Sequence, residues 1–213
     1  GFDRRFADAV RGGRDVRRRA ATLRLRRPEQ PSQLMSRIHV RPAVSSDLNV
    51  IAAFDHGYST DYVWQMEAQA ETGQVSVGFR QVRLPRSMRV AFPRDPQRMM
   101  ADWNRRVCLL VAEEEGTLKG YVNLTLAAAP ETGWIADGVV ERRFRRGGVG
   151  SVLLAAALHW ARENHLKRII LETQSKNYPA ICFAQKNGLA FCGYNDRYYA
   201  NQDVALFFGM VLK

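Results

Sequence analysis

Val140-Glu141-Arg142-Arg143-Phe144-Arg145-Arg146-Gly147-Gly148-Val149-Gly150 runs from the end of an apolar strand pattern into the start of an apolar helix pattern. Glycines at such a junction let the main chain approach a ligand closely and take positive φ. The first N–H groups of the helix have no carbonyl partner inside it, and the helix dipole adds favourable potential, so an anion can be held there. Arg145 and Arg146 add mobile positive charge beside the loop. A glycine-rich turn before a helix can also be a purely structural tight turn, and only the flanking sequence decides between the two. No Gly-x-Gly-x-x-Gly is present, and no Lys-Ser or Lys-Thr follows the loop, which sets aside the dinucleotide fingerprint and the P-loop.

Outward from the loop, Val107–Ala112 and Gly120–Leu126 form an antiparallel hairpin about Glu113–Gly116, and Trp134–Val140 is a third strand. The helix from Val149 to about Asn164 carries apolar residues at 149, 153, 156, 157, 160 and 161. Leu166–Thr173 is the next strand. A second helix starts near Pro179 and ends at Gly188, followed by strands at Leu189–Tyr194 and Ala205–Leu212. Toward the front, Ile38–Arg41 is a short strand, and Ser45-Ser46-Asp47 caps a helix carrying Leu48, Ile51 and Ala52. Asp55–Trp64 is polar and aromatic together, as in a helix-loop-helix with buried rings. Val75, Val77 and Phe79 alternate as in a strand, while Arg83–Arg98, cationic and cut by three prolines, reads as an irregular hairpin or loop.

The 213 residues suit one α/β domain plus an appendage. Net charge is +11, but residues 1–34 hold ten arginines against four acids, a net of +6. This Arg-rich stretch is expected to be a flexible N-terminal extension, with the domain at 35–213 and Met35 as the expected initiator. No nucleic-acid module accompanies the charge, so specific nucleic-acid binding is not expected. No apolar run approaches the ~20 residues of a membrane span, and the start lacks a secretory apolar stretch. Cys108, Cys182 and Cys192 are odd in number and lack metal-ligand spacing, which fits a reducing, cytoplasmic setting and no metal site.

The strand valine, the aromatic Phe144 and the Arg-x-x-Gly-x-Gly spacing of the loop resemble the signature of the GNAT superfamily of N-acetyltransferases. Leu171-Glu172-Thr173-Gln174, Asn177, Pro179-Ala180 and Lys186-Asn187-Gly188-Leu189 resemble that family's second motif, so the resemblance spans roughly Val107–Leu212. Leu-Glu-Thr-Gln, Pro-Ala and Cys192-Gly193-Tyr194-Asn195-Asp196 are most similar to its streptothricin acetyltransferase branch. The resemblance implies a GNAT fold: a mixed sheet of about six to seven strands flanked by helices, splayed between Trp134–Val140 and Leu166–Thr173 where the arm of acetyl-CoA lies.

By the same resemblance, Arg145, Arg146, Gly147, Gly148, Val149, Gly150 and Ser151 hold the coenzyme pyrophosphate. Backbone groups of Val139 and Val140 pair with the pantetheine amides. Asn177 approaches the coenzyme arm, or simply caps the following helix. The reaction implied is direct attack of an amine on the thioester in a ternary complex, needing a base and often an acid. Trp134 and Ala136, where relatives often place a carboxylate, cannot accept a proton. Asp137 faces away if its strand is regular and turns inward only through a bulge. Glu172 is a base, directly or through ordered water, or a carboxylate bound to backbone or arginine inside the fold. Ala184 stands where the family's tyrosine acid is expected, which leaves water, the helix dipole or Tyr178 to assist the thiolate. The alternative is a non-catalytic acyl-CoA-binding sensor. Asp55, His56, Tyr58, Asp61, Tyr62 and Trp64 lie in the region that closes over the acceptor and suit a small-molecule cationic amine. A homodimer is the assembly common in that family.

Overall fold

The computed structural model describes residues 38–95 and 107–213. The expected extension at 1–34, the Met35 start and the last residues of Arg83–Arg98 lie outside the described residues. Among the described residues nine strands and three α-helices follow one another as β1 (His39–Pro42), α1 (Asp47–Ala52), β2 (Tyr58–Glu71), β3 (Gln74–Val90), β4 (Cys108–Glu114), β5 (Thr117–Leu126), β6 (Thr132–Val140), α2 (Val149–Glu163), β7 (Arg168–Gln174), α3 (Tyr178–Lys186), β8 (Ala190–Asn195) and β9 (Ala205–Val211).

Seven strands form one mixed sheet in the order β1-β4-β5-β6-β7-β9-β8, antiparallel except at the β6–β7 pair. The alternation that marked these strands sends alternate side chains to the two faces. Leu110, Val122, Leu124, Ile169, Leu171 and Phe208 meet Val149, Leu153, Leu154 and Ala157 of α2 and Ile181 and Ala184 of α3 in the main core. On the other face Leu109, Val111, Tyr121 and Val139 meet Leu48 and Ile51 of α1. The α1 start differs in detail from expectation, because Ser46 makes no side-chain cap bond. Asp47, within the first turn, accepts the Val44 N–H at 2.8 Å and pairs with Arg41.

The larger departure lies before β4. Tyr58–Glu71 is one continuous strand, not part of a helix-loop-helix, and it pairs with β3 along nearly its whole length as a separate ribbon. Within Arg83–Arg98 the structure continues β3 to Val90 instead of breaking into a loop. Pro85 is tolerated because Leu84–Ser87 bulge out, four residues opposite Asp61 alone, where the ladder needs no N–H from proline.

Candidate active site

Two features of β6 build the site. Its parallel pairing with β7 ends at Ile135↔Leu171, beyond which the strands part and leave a fork whose vertex is Ala136 and Glu172. On the other edge, the register against β5 jumps from Asn123↔Asp137 to Leu124↔Ile135, so Ala136 is an extra, bulged residue. The bulge resets the alternation: Ile135 stays in the main core while Trp134 and Asp137 reach the same partner on the opposite face. Asp137 therefore turns inward, as only a bulge allows.

That partner is a buried cluster. Arg94, from the segment after β3, donates from Nη1 to Ala136 O at 2.7 Å and to Asp137 Oδ1 at 3.1 Å, and from Nη2 to Glu172 Oε1. Glu172 Oε2 accepts the Trp134 indole N–H at 2.8 Å and the Tyr198 hydroxyl at 3.0 Å. The Arg94 guanidinium carbon stands 5.5 Å from the Tyr199 ring centroid. Asn123 Nδ2 is 3.5 Å from the outer Asp137 oxygen. Burial opposes ionisation of both tyrosines, whose pKa values rise. Arg94, Tyr198 and Asn123 were not picked out from the sequence; no periodicity or motif marks them, and their partners are far away in the chain.

The glycine loop carries its signature in backbone geometry. Arg146 and Gly148 take positive φ of 68° and 87°, and Gly148 is the N-cap of α2. A Cβ at Gly148 would meet nothing within 4 Å, so the loop is open on that side. Ser151 is half-buried in the first turn of α2, and Val149 puts its side chain into the main core, leaving its amide for a ligand. Gly150 lies against α3, where an added Cβ would stand 3.2 Å from the Phe183 ring.

Arg145 is not a mobile charge beside this loop. Its guanidinium donates to Val140 O at 2.8 Å, to Gly57 O at 2.9 Å and to Asp55 O, tying the loop to the α1–β2 connection. Arg146 is exposed and remains the arginine suited to phosphate. The backbone pair expected at Val139 and Val140 shifts as well. Glu141 N donates to Lys119 O of β5, so by alternation Val139 is also turned to β5 while Gly138 and Val140 face the fork.

Asn177 caps α3 by accepting the Ala180 N–H at 3.1 Å. Tyr178, in the first turn of α3, packs on Tyr62 with centroids 5.0 Å apart, and its contact with Cys182 raises its pKa. Ala184 is wholly buried in the main core, so a larger side chain there would enter the core and not the fork.

The residues from Asp55 to Trp64 are dispersed by the strand they form. Asp55 pairs with Arg89 at 2.6 Å, which lowers its pKa. His56 is buried against Phe92 and Tyr121. Its Nδ1 is 2.7 Å from Phe54 O, its Nε2 has no hydrogen-bond partner among the described residues, and burial holds its pKa below the ordinary value. Tyr58 donates to Gln174 Oε1 at 2.9 Å. Gln174 in turn donates to Asp203 at 2.7 Å, beside Lys176. Asp61 is exposed opposite the bulge, and Trp64 packs among Phe79, Phe191 and Phe208. Among the described residues no three His, Cys, Asp or Glu side chains gather to hold a metal ion, and no helix is long and apolar enough to cross a membrane.

With known proteins, the match begins at the family level: the model of the Acetyltransferase (GNAT) family matches residues 80–189. Streptothricin acetyltransferase A of Bacillus subtilis (strain 168) is 35% identical over 77 residues, 34% of this chain and 44% of that protein, so the match spans less than half of that relative. Streptothricin acetyltransferase of Streptomyces lavendulae is 26% identical over 165 residues, 75% of this chain and 85% of that protein. A crystal structure of nourseothricin acetyltransferase superposes with a TM-score of 0.69 at 25% identity, covering 83% of this chain and 99% of that one.

Proposed function

Because the chain belongs to the GNAT acetyltransferase family, we propose that it moves an acetyl group from acetyl-CoA to a primary amine of a small cationic acceptor. The names of its relatives make a streptothricin-like antibiotic the first candidate. The observation that carries this reading is the carboxylate pair Asp137 and Glu172 at the vertex of the β6–β7 fork, next to an open glycine loop at the start of α2.

The residues fit the coenzyme. The α2 amides and Arg146 suit a pyrophosphate, and the fork-facing backbone of Gly138 and the N–H of Val140, whose carbonyl already accepts from Arg145, suit the amides of an extended arm. Acetyl-CoA supplies the thioester carbon. The amine nitrogen bonds to it as the C–S bond breaks, one ammonium proton having passed to Asp137 and a second leaving with the thiolate. Asp137 is the better proton acceptor of the pair, since among the described residues its outer oxygen has only the 3.5 Å contact with Asn123. Both Glu172 oxygens are engaged by Arg94, Trp134 and Tyr198, so Glu172 is a positioning residue. Residues 35–213 form the transferase domain in this reading, working in the cytoplasm.

A thiol-release assay with acetyl-CoA, streptothricin and a panel of simple amines tests it. Release with a cationic primary amine is expected. Tight acetyl-CoA binding by calorimetry with no release from any amine between about pH 6 and 10, across the range where amines deprotonate, would replace the enzyme with an acyl-CoA sensor.

A further inference from the structure

Among the described residues one cationic side chain bridges the Asp137–Glu172 pair. Measured on side chains, Asp137 is 10% exposed and Glu172 is 0% exposed, while the Arg94 that bridges them is 31% exposed. Among the described residues the other groups that touch Glu172 lie near the sheet, Trp134 on β6 and Tyr198 and Tyr199 in the connection before β9. Arg94 instead comes from a segment without regular structure that leaves β3 at Val90 and crosses the site. The same segment lays Phe92 on His56, with centroids 5.2 Å apart. Its outer side lines an open cleft of about 360 Å³ with Met88, Phe92, Pro93, Lys176, Asn201 and Asp203.

Two carboxylates, one bridging cation and an aromatic face 5.5 Å away also make up a receptor for an organic cation. We propose that Arg94 is a resident stand-in for the acceptor: its guanidinium holds the seat between Asp137 and Glu172 until a cationic amine takes its place. The inference rests on the acetyl-transfer reading above and adds to it a filter, since only an acceptor charged on its reacting arm can open the fork.

Bare carboxylates buried at this depth are costly, and removing one partner of such a pair is strongly destabilising. A site waiting for a cation therefore needs an internal one. Exchanging guanidinium for ammonium keeps the charge count of the seat unchanged, two negative and one positive, so neither state leaves the two carboxylates without a cation between them. Arg94 swings into the cleft while the acceptor's body fills it from the same side. The cost appears in acceptor affinity: when only a fraction of molecules have the seat open, apparent affinity falls by that fraction. A permanently fixed Arg94 would have the opposite effect, repelling every ammonium that approaches Asp137.

The two alternatives predict opposite signs. Arg94→Ala is expected to lower the acceptor KM about tenfold, as removal of a competitor populated nine times in ten requires. The same variant is expected to bind methylguanidinium chloride by calorimetry and to gain melting temperature from it relative to equal potassium chloride. Wild type should bind it about tenfold more weakly and gain correspondingly less melting temperature, and Arg94→Ala combined with Asp137→Asn should lose both responses. An acceptor KM that rises in Arg94→Ala, or no methylguanidinium binding to it, overturns the proposal. If Arg94→Ala does not fold, Arg94→Gln, a shorter neutral side chain that fills more of the space without the charge, is read in the same way. Absence of acetyl transfer in wild type would remove the function proposed above and leave the cation exchange to be decided by the methylguanidinium titration.

Discussion

Asp137 and Glu172 share Arg94 but differ in what else holds them, and this separates their expected phenotypes. Asp137→Asn removes the proton acceptor while keeping the shape, so kcat should fall roughly 10²–10⁴-fold, the usual contribution of a positioned base. Acetyl-CoA affinity by calorimetry should stay unchanged; a parallel loss of both would mean that the fork itself had collapsed. Glu172→Gln leaves Arg94 with Asp137 as its carboxylate partner and weakens the buried hydrogen bonds from Arg94, Trp134 and Tyr198, so it should cost about 1–3 kcal/mol of stability by urea unfolding. His56 supplies a pH signature. Burial lowers its folded pKa below the ordinary 6.5, so the unfolded chain takes up the proton first. Its contribution is therefore complete above pH 6.5 and is lost as pH falls through the lower folded value. Asp47 and Asp55, held down by Arg41 and Arg89, lose theirs only below the carboxylate value of 3.8. Unfolding free energy should thus decline as pH falls below 6.5, and His56→Gln should flatten that limb; an unchanged slope would exclude His56 as its source. At this scale the sequence was partly legible. Gly148, with its positive φ, follows from residue type at a motif position, whereas Arg145 carries the motif yet ties down three carbonyls of the α1–β2 connection and of β6. Arg94 reaches partners 43 and 78 residues away from an irregular segment, and no local pattern announces such a contact.

Elements were legible where one face of a strand or helix is buried and the pattern has a period. β4, β5, α2 and β7 lie close to their expected spans because their apolar residues repeat at the interval their geometry demands. Of the β2–β3 ribbon only the alternation at Val75, Val77 and Phe79 was legible; β2 keeps no alternation along its length, and Pro85 argued against a longer β3. The bulge at Ala136 was legible only as an option, because one extra residue in a strand changes facing without changing composition. Two substitutions test the helices. Gly148→Val forces a β-branched residue to φ +87° where no neighbouring atom obstructs it, so the strain of about 1–2 kcal/mol falls on the loop backbone alone. Coenzyme affinity should drop sharply with the circular dichroism spectrum retained, and unchanged binding would move the pyrophosphate away from this loop. Ala184→Tyr, which would place a phenol if position 184 faced the fork, should instead overpack the core and cost about 1–3 kcal/mol without raising turnover. A gain in kcat would show that this face of α3 reaches the sulfur.

At the scale of the whole molecule the sheet divides the work. One face packs α2 and α3 and presents the glycine loop, and the other holds α1, the carboxylate pair and the cleft, so coenzyme and acceptor meet only at the fork that opens through the sheet. A site of this kind attracts cations through a few buried acids, yet the chain as a whole carries +11. The conflict eases once the charge is located. Residues 1–34 contribute +6, ten arginines less four acids, and the remaining 179 residues carry the other +5. Long-range attraction to polyanions should therefore belong to the first 34 residues and should not depend on the transferase site. Binding of that kind releases condensed counterions, so it is sequence-independent and falls steeply with salt. Fluorescence titration of the full chain with labelled duplex DNA should show weak association that drops at least about tenfold between roughly 50 and 200 mM salt, as several phosphate contacts require. Replacing the ten arginines of residues 1–34 by glutamine in the full chain should abolish the association and leave acetyl-CoA affinity and thiol release unchanged. If the substituted chain keeps its DNA affinity and salt slope, the phosphate contacts lie on the folded domain, and the separation of tail charge from transferase site is wrong.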